Sequence, residues 1–236
     1  MADEQERDRL KPVGSLKPAP EALMLVGAPG SGKGTAGKIV AEQLNLPHIS
    51  TGDLLRAHVA AADEVGVRVR NLMGAGRLVP DELVNGMVLE RTAAEDCKKG
   101  FILDGYPRTI NQAKVLVREL AARGVTPVVI HLKVDYNRII GRLTGRRTCP
   151  ECGAVYNIAL RPPKLDGKCD VDGAGLVLRD DDREEVVGAR LESYDRVTKP
   201  LEEYFNTAVS RLYSVDGNKG SPIEMADRIR ELAWNG

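Results

Sequence analysis

The stretch ALMLVGAPGSGKGT, residues 22–35, decides the fold. Its first part, ALMLVG (22–27), is a short continuous apolar run closed by Gly27 and Pro29. That is the pattern of a parallel strand buried on both faces. Gly27 and the Gly32-Lys33 pair then have the G-x4-G-K spacing of a phosphate-binding loop. Glycines let backbone N–H groups converge on an anion, and the N-terminus of a following helix adds partial positive charge. Lys33 supplies a mobile cation for terminal phosphates. The next residues, TAGKIVAEQLNL (35–46), place Ile39, Val40 and Leu44 on one helical face. A glycine-rich turn with no ligand is the competing reading, and Lys33 between strand and helix argues against it. One position departs from the usual loop. The residue after the lysine, where Ser or Thr ordinarily holds magnesium, is Gly34, and the hydroxyl arrives at Thr35.

The same rhythm repeats along the chain. FILD (101–104) precedes a helical stretch, TINQAKVLVRELAARG, ending at Gly124. VVIHL (128–132) precedes DYNRIIGRLTGR, with Ile139, Ile140 and Leu143 on one face. LYSV (212–215) leads into PIEMADRIRELAW. Alternating strands and helices predict an α/β fold, a parallel sheet of the P-loop NTPase kind with helices on both faces. Two segments interrupt it. Residues 50–79 look helical without a strand, a small helical insertion. Residues 145–182 are rich in Gly, Pro, Cys and charge, with β-like pieces such as AVYNIAL, a small β insertion. From 183 to 211 a helical pattern carries Val186, Val187, Leu191 and Tyr194, and Pro200 should break or kink it. Residues 1–21 mix charges with Pro12, Pro18 and Pro20 and read as a mobile tail before a core spanning 22–236.

Composition narrows the function. The 236 residues carry 34 Lys+Arg and 34 Asp+Glu, so a dedicated nucleic-acid surface is not expected. No run approaches the length of a membrane span, and MADEQERDRL is too polar for a secretory signal. The expectation is a soluble cytoplasmic protein with reduced thiols.

The loop spelling GxPGxGKGT is that of the nucleoside monophosphate kinases. STGDLLR (50–56), GRLVPDELV (76–84), GFILDGYPRT (100–109), GRLTGRRTCPECGAVY (141–156) and LRDDDREEVVGARL (178–191) extend the likeness over nearly all of 22–220. The chain resembles the adenylate kinases in their long-lid form. The resemblance implies reversible transfer from ATP to AMP giving two ADP, magnesium on the donor, a monomer, and a closing lid at 145–182, a motion already known for this family. It implies that Gly30, Ser31, Gly32, Lys33, Gly34 and Thr35 hold the ATP phosphates, with Arg142, Arg146, Val155, Tyr156 and Lys219 near the donor. Thr51, Arg56, Arg77, Leu78, Val79, Gly105, Tyr106, Pro107, Arg108 and Gln112 would surround AMP, with the insertion at 50–79 as the AMP-binding unit. Arg179 and Arg190 would clamp the phosphates being exchanged.

Chemistry supports a set of this kind. Phosphoryl transfer brings two anions together, so catalysis is mostly positioning and charge stabilisation. Planar, permanently ionised arginines suit that work. Lys33, Arg108, Arg142, Arg146, Arg179 and Arg190 are the catalytic candidates. Arg142 and Arg146, four apart, would share a helical face, while Arg138 and Arg147 read as solvated surface. Gln112 can offer a donor and an acceptor to an adenine edge. Asp104 is the candidate to orient magnesium through its waters, or else it caps the following turn. Asp181 and Asp182 either hold the closed lid or cap the next helix. His48, His58 and His131 fall in no shared motif.

Cys149, Cys152, Cys169 and Asp172 form C-x2-C-x16-C-x2-D. Two such knuckles can close a tetrahedral structural zinc site in an insertion too small for a core of its own. Free thiols and a Cys149–Cys152 disulfide are the alternatives. Cys97 reads as a plain thiol. Rival functions are a GTP:AMP phosphotransferase, another nucleoside monophosphate kinase, or a non-catalytic nucleotide-binding module.

Overall fold

The computed structural model describes residues 22–235. The tail expected at 1–21 lies outside them. Five strands form a parallel sheet: β1 (Ala22–Gly27), β2 (His48–Ser50), β3 (Phe101–Asp104), β4 (Val128–Lys133) and β7 (Leu212–Asp216), in the order β2-β3-β1-β4-β7. Four coincide with the apolar runs. The fifth, β2, is a three-residue edge strand with only Ile49 buried, too short and too polar to show a period.

β1 runs through the centre with Ala22, Leu23, Met24 and Leu25 all fully buried. Because side chains alternate, Ala22, Met24 and Val26 enter one core and Leu23 and Leu25 the other. The first core takes Val84 and Val88 of α4 (Asp81–Thr92), Leu116 and Leu120 of α5 (Ile110–Ala122), and Leu201 and Phe205 of α8 (Leu201–Ala208). The second takes Ala36 and Val40 of α1 (Lys33–Leu44) and Ala226, Ile229 and Ala233 of α9 (Pro222–Asn235). From β1 the chain passes to β2 at the edge and then to β3 on one side of β1, before crossing to β4 on the other. The crevice over its C-terminal end is where such folds bind ligands.

The segment at 50–79 holds two helices, α2 (Thr51–Ala61) and α3 (Glu64–Gly74). Ser50 and Asp63 cap them, their side chains accepting from the backbone N–H of Asp53 and Gly66. The segment at 145–182 carries the antiparallel pair β5 (Arg146–Thr148) and β6 (Val155–Asn157), extended by a bridge from Thr148 to Val177.

Two local expectations need correction, and one of two open alternatives falls away. Helix α6 (Tyr136–Thr144) stops at Gly145, so Arg146 belongs to β5 and shares no helical face with Arg142. On α6, Ile139 and Leu143 are buried but Ile140 is 41% exposed, because only a narrow stripe of this short helix meets the core. Asp181 and Asp182 do not cap α7 (Glu184–Ser193), whose first turn has no side-chain cap. A single π-helical turn, Tyr194–Thr198, and Pro200 separate α7 from α8, as the proline required. No helix among the described residues is long and apolar enough to cross a membrane.

Candidate active site

The loop after β1 needs its glycines for two distinct reasons. At Gly27 (φ 142°) a Cβ would sit 2.5 Å from the Leu132 carbonyl, so backbone approach excludes any side chain. Gly32 (φ 100°) is the N-cap of α1 in a left-handed conformation open to glycine at no steric cost. No side chain caps α1 and no acidic residue lies in its first turn, so its leading N–H groups are left for an anion. Lys33 Nζ donates to Gly27 O and Ala28 O, both at 2.8 Å, and to Ser31 Oγ at 3.3 Å. Burial pulls its pKa from 10.5 down to about 8. Asp104 opposes the shift, and Arg108, Arg190 and Arg146 add to it.

Beside this loop opens a cleft of about 1720 Å³. Its walls carry the expected loop residues Gly30 and Gly32 to Thr35; Thr51, Arg56 and Arg77 to Val79; Gly105, Pro107, Arg108 and Gln112; and Arg142, Arg146, Val155, Tyr156, Arg179 and Arg190. Asp104 joins them at the end of β3, its Oδ2 2.9 Å from where a Cβ on Gly34 would lie. Three expected residues do not reach the cleft. Ser31 is fully buried beneath the loop. Tyr106 is fully buried and donates through its hydroxyl to Asn85 Oδ1 at 2.6 Å, so it serves the core. Lys219 is exposed and does not line the cleft, whose wall begins at the next residue, Gly220.

The cationic groups are held by carbonyls and a few carboxylates. Arg108 Nε donates to Gly105 O at 2.8 Å, the same oxygen that accepts from Thr51 Oγ1 at 2.9 Å. Its backbone N–H donates to Gln112 Oε1 at 2.7 Å, while Gln112 Nε2 donates to Asp81 Oδ1 at 2.8 Å. The amide expected to read an adenine edge therefore already braces the Arg108 turn, with one donor and one acceptor position in use. Arg142 donates to Ser31 O at 3.3 Å and to Gly217 O at 2.9 Å. Arg56 pairs with Asp53 at 2.6 Å. Arg179 Nε donates to Thr148 Oγ1 at 2.9 Å, and burial, with Arg146 and Arg56 nearby, lowers its pKa to about 9. Burial likewise lowers Arg108, with Arg190 beside it.

Asp182 holds the cluster from behind. Its fully buried carboxylate accepts from Arg146 Nε at 2.6 Å, Arg146 Nη2 at 2.5 Å and Arg190 Nη1 at 2.7 Å. Asp181 Oδ2 lies 3.1 Å from the same Arg190 nitrogen. Of the two readings left open by sequence, tertiary pairing replaces capping. Arg138 is exposed, as expected, and also borders the cleft, where it donates to the main-chain oxygen of Asn218.

Away from the cleft, Cys149, Cys152, Cys169 and Asp172 present ligand atoms all within 4.8 Å of one another. Two matching turns build the cluster. Cys149 N–H donates to Ala154 O and Gly153 N–H to Cys149 O, and Cys169, Gly173 and Ala174 repeat both bonds. Backbone N–H groups of Cys152 and Val171 point at Cys149 and Cys169 sulfur. All four cysteines are free thiols, so the Cys149–Cys152 disulfide is absent. Cys97 is buried near Arg91.

A phosphate loop at the switch point of a parallel sheet, facing arginines gathered from four later segments, defines a P-loop phosphotransferase of the nucleotide-handling kind. The family model for adenylate kinase matches residues 25–210. An adenylate kinase of Thermosipho africanus is 46% identical over 196 residues, covering 83% of this chain and 91% of the relative. One from Thermoanaerobacter sp. (strain X514) is 46% identical over 215 residues, 91% of this chain and 99% of the relative. One from Caldanaerobacter subterraneus is 47% identical over 198 residues, 84% and 89%. The chain belongs to the adenylate kinase family.

Proposed function

We propose that this chain catalyses reversible phosphoryl transfer between ATP and AMP, giving two ADP. The observation that carries the reading is the convergence of Lys33 with Arg56, Arg108, Arg142, Arg146, Arg179 and Arg190 on one cleft at the N-terminus of α1. The α1 N-terminus, Lys33, Arg142 and Arg146 face the donor phosphates in this reading, and Val155 and Tyr156 the donor nucleoside. Arg56 and Arg108, with Thr51, Gly105 and the stretch Arg77 to Val79, hold the acceptor. Arg179 and Arg190 bind the group in transit. Because the acceptor is an ionised phosphate, no general base is needed. The protein's work is to align the two anions, stabilise charge on the equatorial oxygens and exclude water. Every group assigned comes from one chain, so the reaction needs no second copy.

Magnesium fits beside Asp104, whose carboxylate lies against Gly34 at the edge of the loop. Asp104 would hold it through its waters, and the ion would supply charge neutralisation at the donor phosphates. Zinc fits the four-ligand cluster: three sulfurs and one carboxylate suit a closed tetrahedral site. There it would tie β5 and β6 to the Cys169 turn and give this small unit a centre in place of a core.

A coupled assay pairing ATP or GTP with AMP, CMP or UMP tests the reading. ADP formation is expected to be fastest from ATP and AMP. No ADP from that pair overturns it, and a higher rate with GTP reassigns the donor.

A further inference from the structure

Arg138 sits in the first turn of α6, one turn before Arg142. Its Nη1 donates to the main-chain oxygen of Asn218 at 2.7 Å. Asn218 Oδ1 accepts in return from the backbone N–H of Asp135 at 2.9 Å. Next to it, Gly217 N–H donates to Lys133 O at 2.8 Å, and Gly217 O accepts from Arg142 Nη2 at 2.9 Å. The turn after β7 is thus tied to the end of β4 and the start of α6. Space is tight there too, since a Cβ on Gly217 would lie 2.6 Å from Val134 Cγ2.

The same turn continues into a wall of the cleft through Gly220, Ser221, Pro222 and Ile223. Ile223 is 61% exposed, an apolar side chain at this end of the cleft. A heteroaromatic base is bound by apolar faces combined with a few fixed main-chain donors and acceptors. Phosphates require the opposite, the cationic end at Lys33. The wall at Gly220–Ile223 offers such apolar surface next to glycine main chain.

We propose that Arg138 is a positioning residue for the donor nucleotide, fixing the turn at 217–219 that leads into the wall at Gly220–Ile223 against which the base lies. The inference rests on the reading of this end of the cleft as the ATP side. Arg138 acts through the loop: its guanidinium is engaged with Asn218 O and is assigned no contact with phosphate. Losing one hydrogen bond from a charged donor to this carbonyl corresponds to about fivefold or more in affinity. The acceptor wall at Arg56 and Arg77 to Val79 shares none of these bonds, so AMP should not feel the loss.

The test is calorimetric titration of the full chain with a non-hydrolysable ATP analogue and, separately, with AMP. Arg138→Ala should weaken the analogue about fivefold or more and leave AMP within about twofold. Asn218→Ala should act in the same direction, because it frees the turn from the other side. Arg138→Lys should recover most of the affinity, since one donor to the carbonyl suffices. If Arg138→Ala binds the analogue as the parent does, or loses AMP by the same factor, the inference fails. If Arg138→Ala does not fold, Asn218→Ala decides by the same two affinities. Absence of ADP formation in the parent would sink the proposed reaction, while an Arg138-dependent analogue affinity would still stand.

Discussion

Asp182→Asn removes one charge and little volume from the most enclosed ion cluster of the site. The carboxylate is fully buried, and its partners Arg146 and Arg190 have side chains only 18% and 15% exposed. Three charge-assisted hydrogen bonds end on it. Asparagine keeps one oxygen for one arginine and turns an N–H₂ toward another donor. Breaking a buried pair while leaving its partner charged costs about 3–5 kcal/mol, and the retained oxygen places this change near about 3. For a domain of roughly this size each kcal/mol moves Tm by about 2–4 °C, so the variant should melt about 6–12 °C lower. The loss should persist at high ionic strength, because the pair is shielded from solvent ions. It should shrink when ATP and AMP are both saturating, since phosphate oxygens then compensate Arg146 and Arg190. Differential scanning calorimetry of parent and variant, with and without nucleotides and at two salt concentrations, reads all three effects. A decrease under about 2 °C without ligand would show that the arginines do not depend on this carboxylate, and the account of the cluster would be wrong.

Lys33→Ala and Arg108→Ala should each lower turnover by at least about 100-fold with circular dichroism unchanged, and near-parental rates in either refute the site assignment. Lys33 also sets a pH dependence. In the empty protein its proton is lost above about pH 8, so kcat/KM for ATP should fall beyond that pH, and a profile flat to pH 9.5 contradicts the role. Stability moves the other way. The folded pKa lies below the ordinary 10.5, so the cost of burying the cation is full below about pH 8 and is relieved as pH rises toward 10.5. Lys33→Met, inactive, should therefore melt higher than the parent at pH 7. Protein purified without chelator should contain one zinc per chain, and its removal should lower Tm; less than about 0.2 zinc per chain refutes the metal assignment.

Much of this was legible because it is local. The apolar run of β1, the glycines and Lys33 are contiguous, and the strand–loop–helix follows from them alone. The cysteine spacing likewise announced a four-ligand cluster before its geometry was known. What failed to show depends on partners far along the chain. An Asp just before a helix reads as a cap, and nothing near Asp182 reveals Arg146, 36 positions away. Tyr106 lies within a turn that lines the cleft, yet its ring finds Asn85 of α4. Arg138 is exposed as its sequence suggests, but its bond to Asn218, 80 residues distant, leaves no local trace. β2 is a strand only because β3 offers it hydrogen bonds along one edge.

The whole chain is electrically neutral, but its cleft is not. Lys33, Arg108 and Arg179 all have pKa values lowered first by burial and then by neighbouring guanidinium groups. An empty molecule therefore carries repulsion that any bound polyanion relieves, and binding stabilises in proportion to the logarithm of ligand concentration. The lifetime of this protein in a cell, set by how often it opens to proteases, then becomes a function of the nucleotide pool it serves. Starved of nucleotides, the enzyme would be cleared faster; supplied with them, it would be protected by its own substrates.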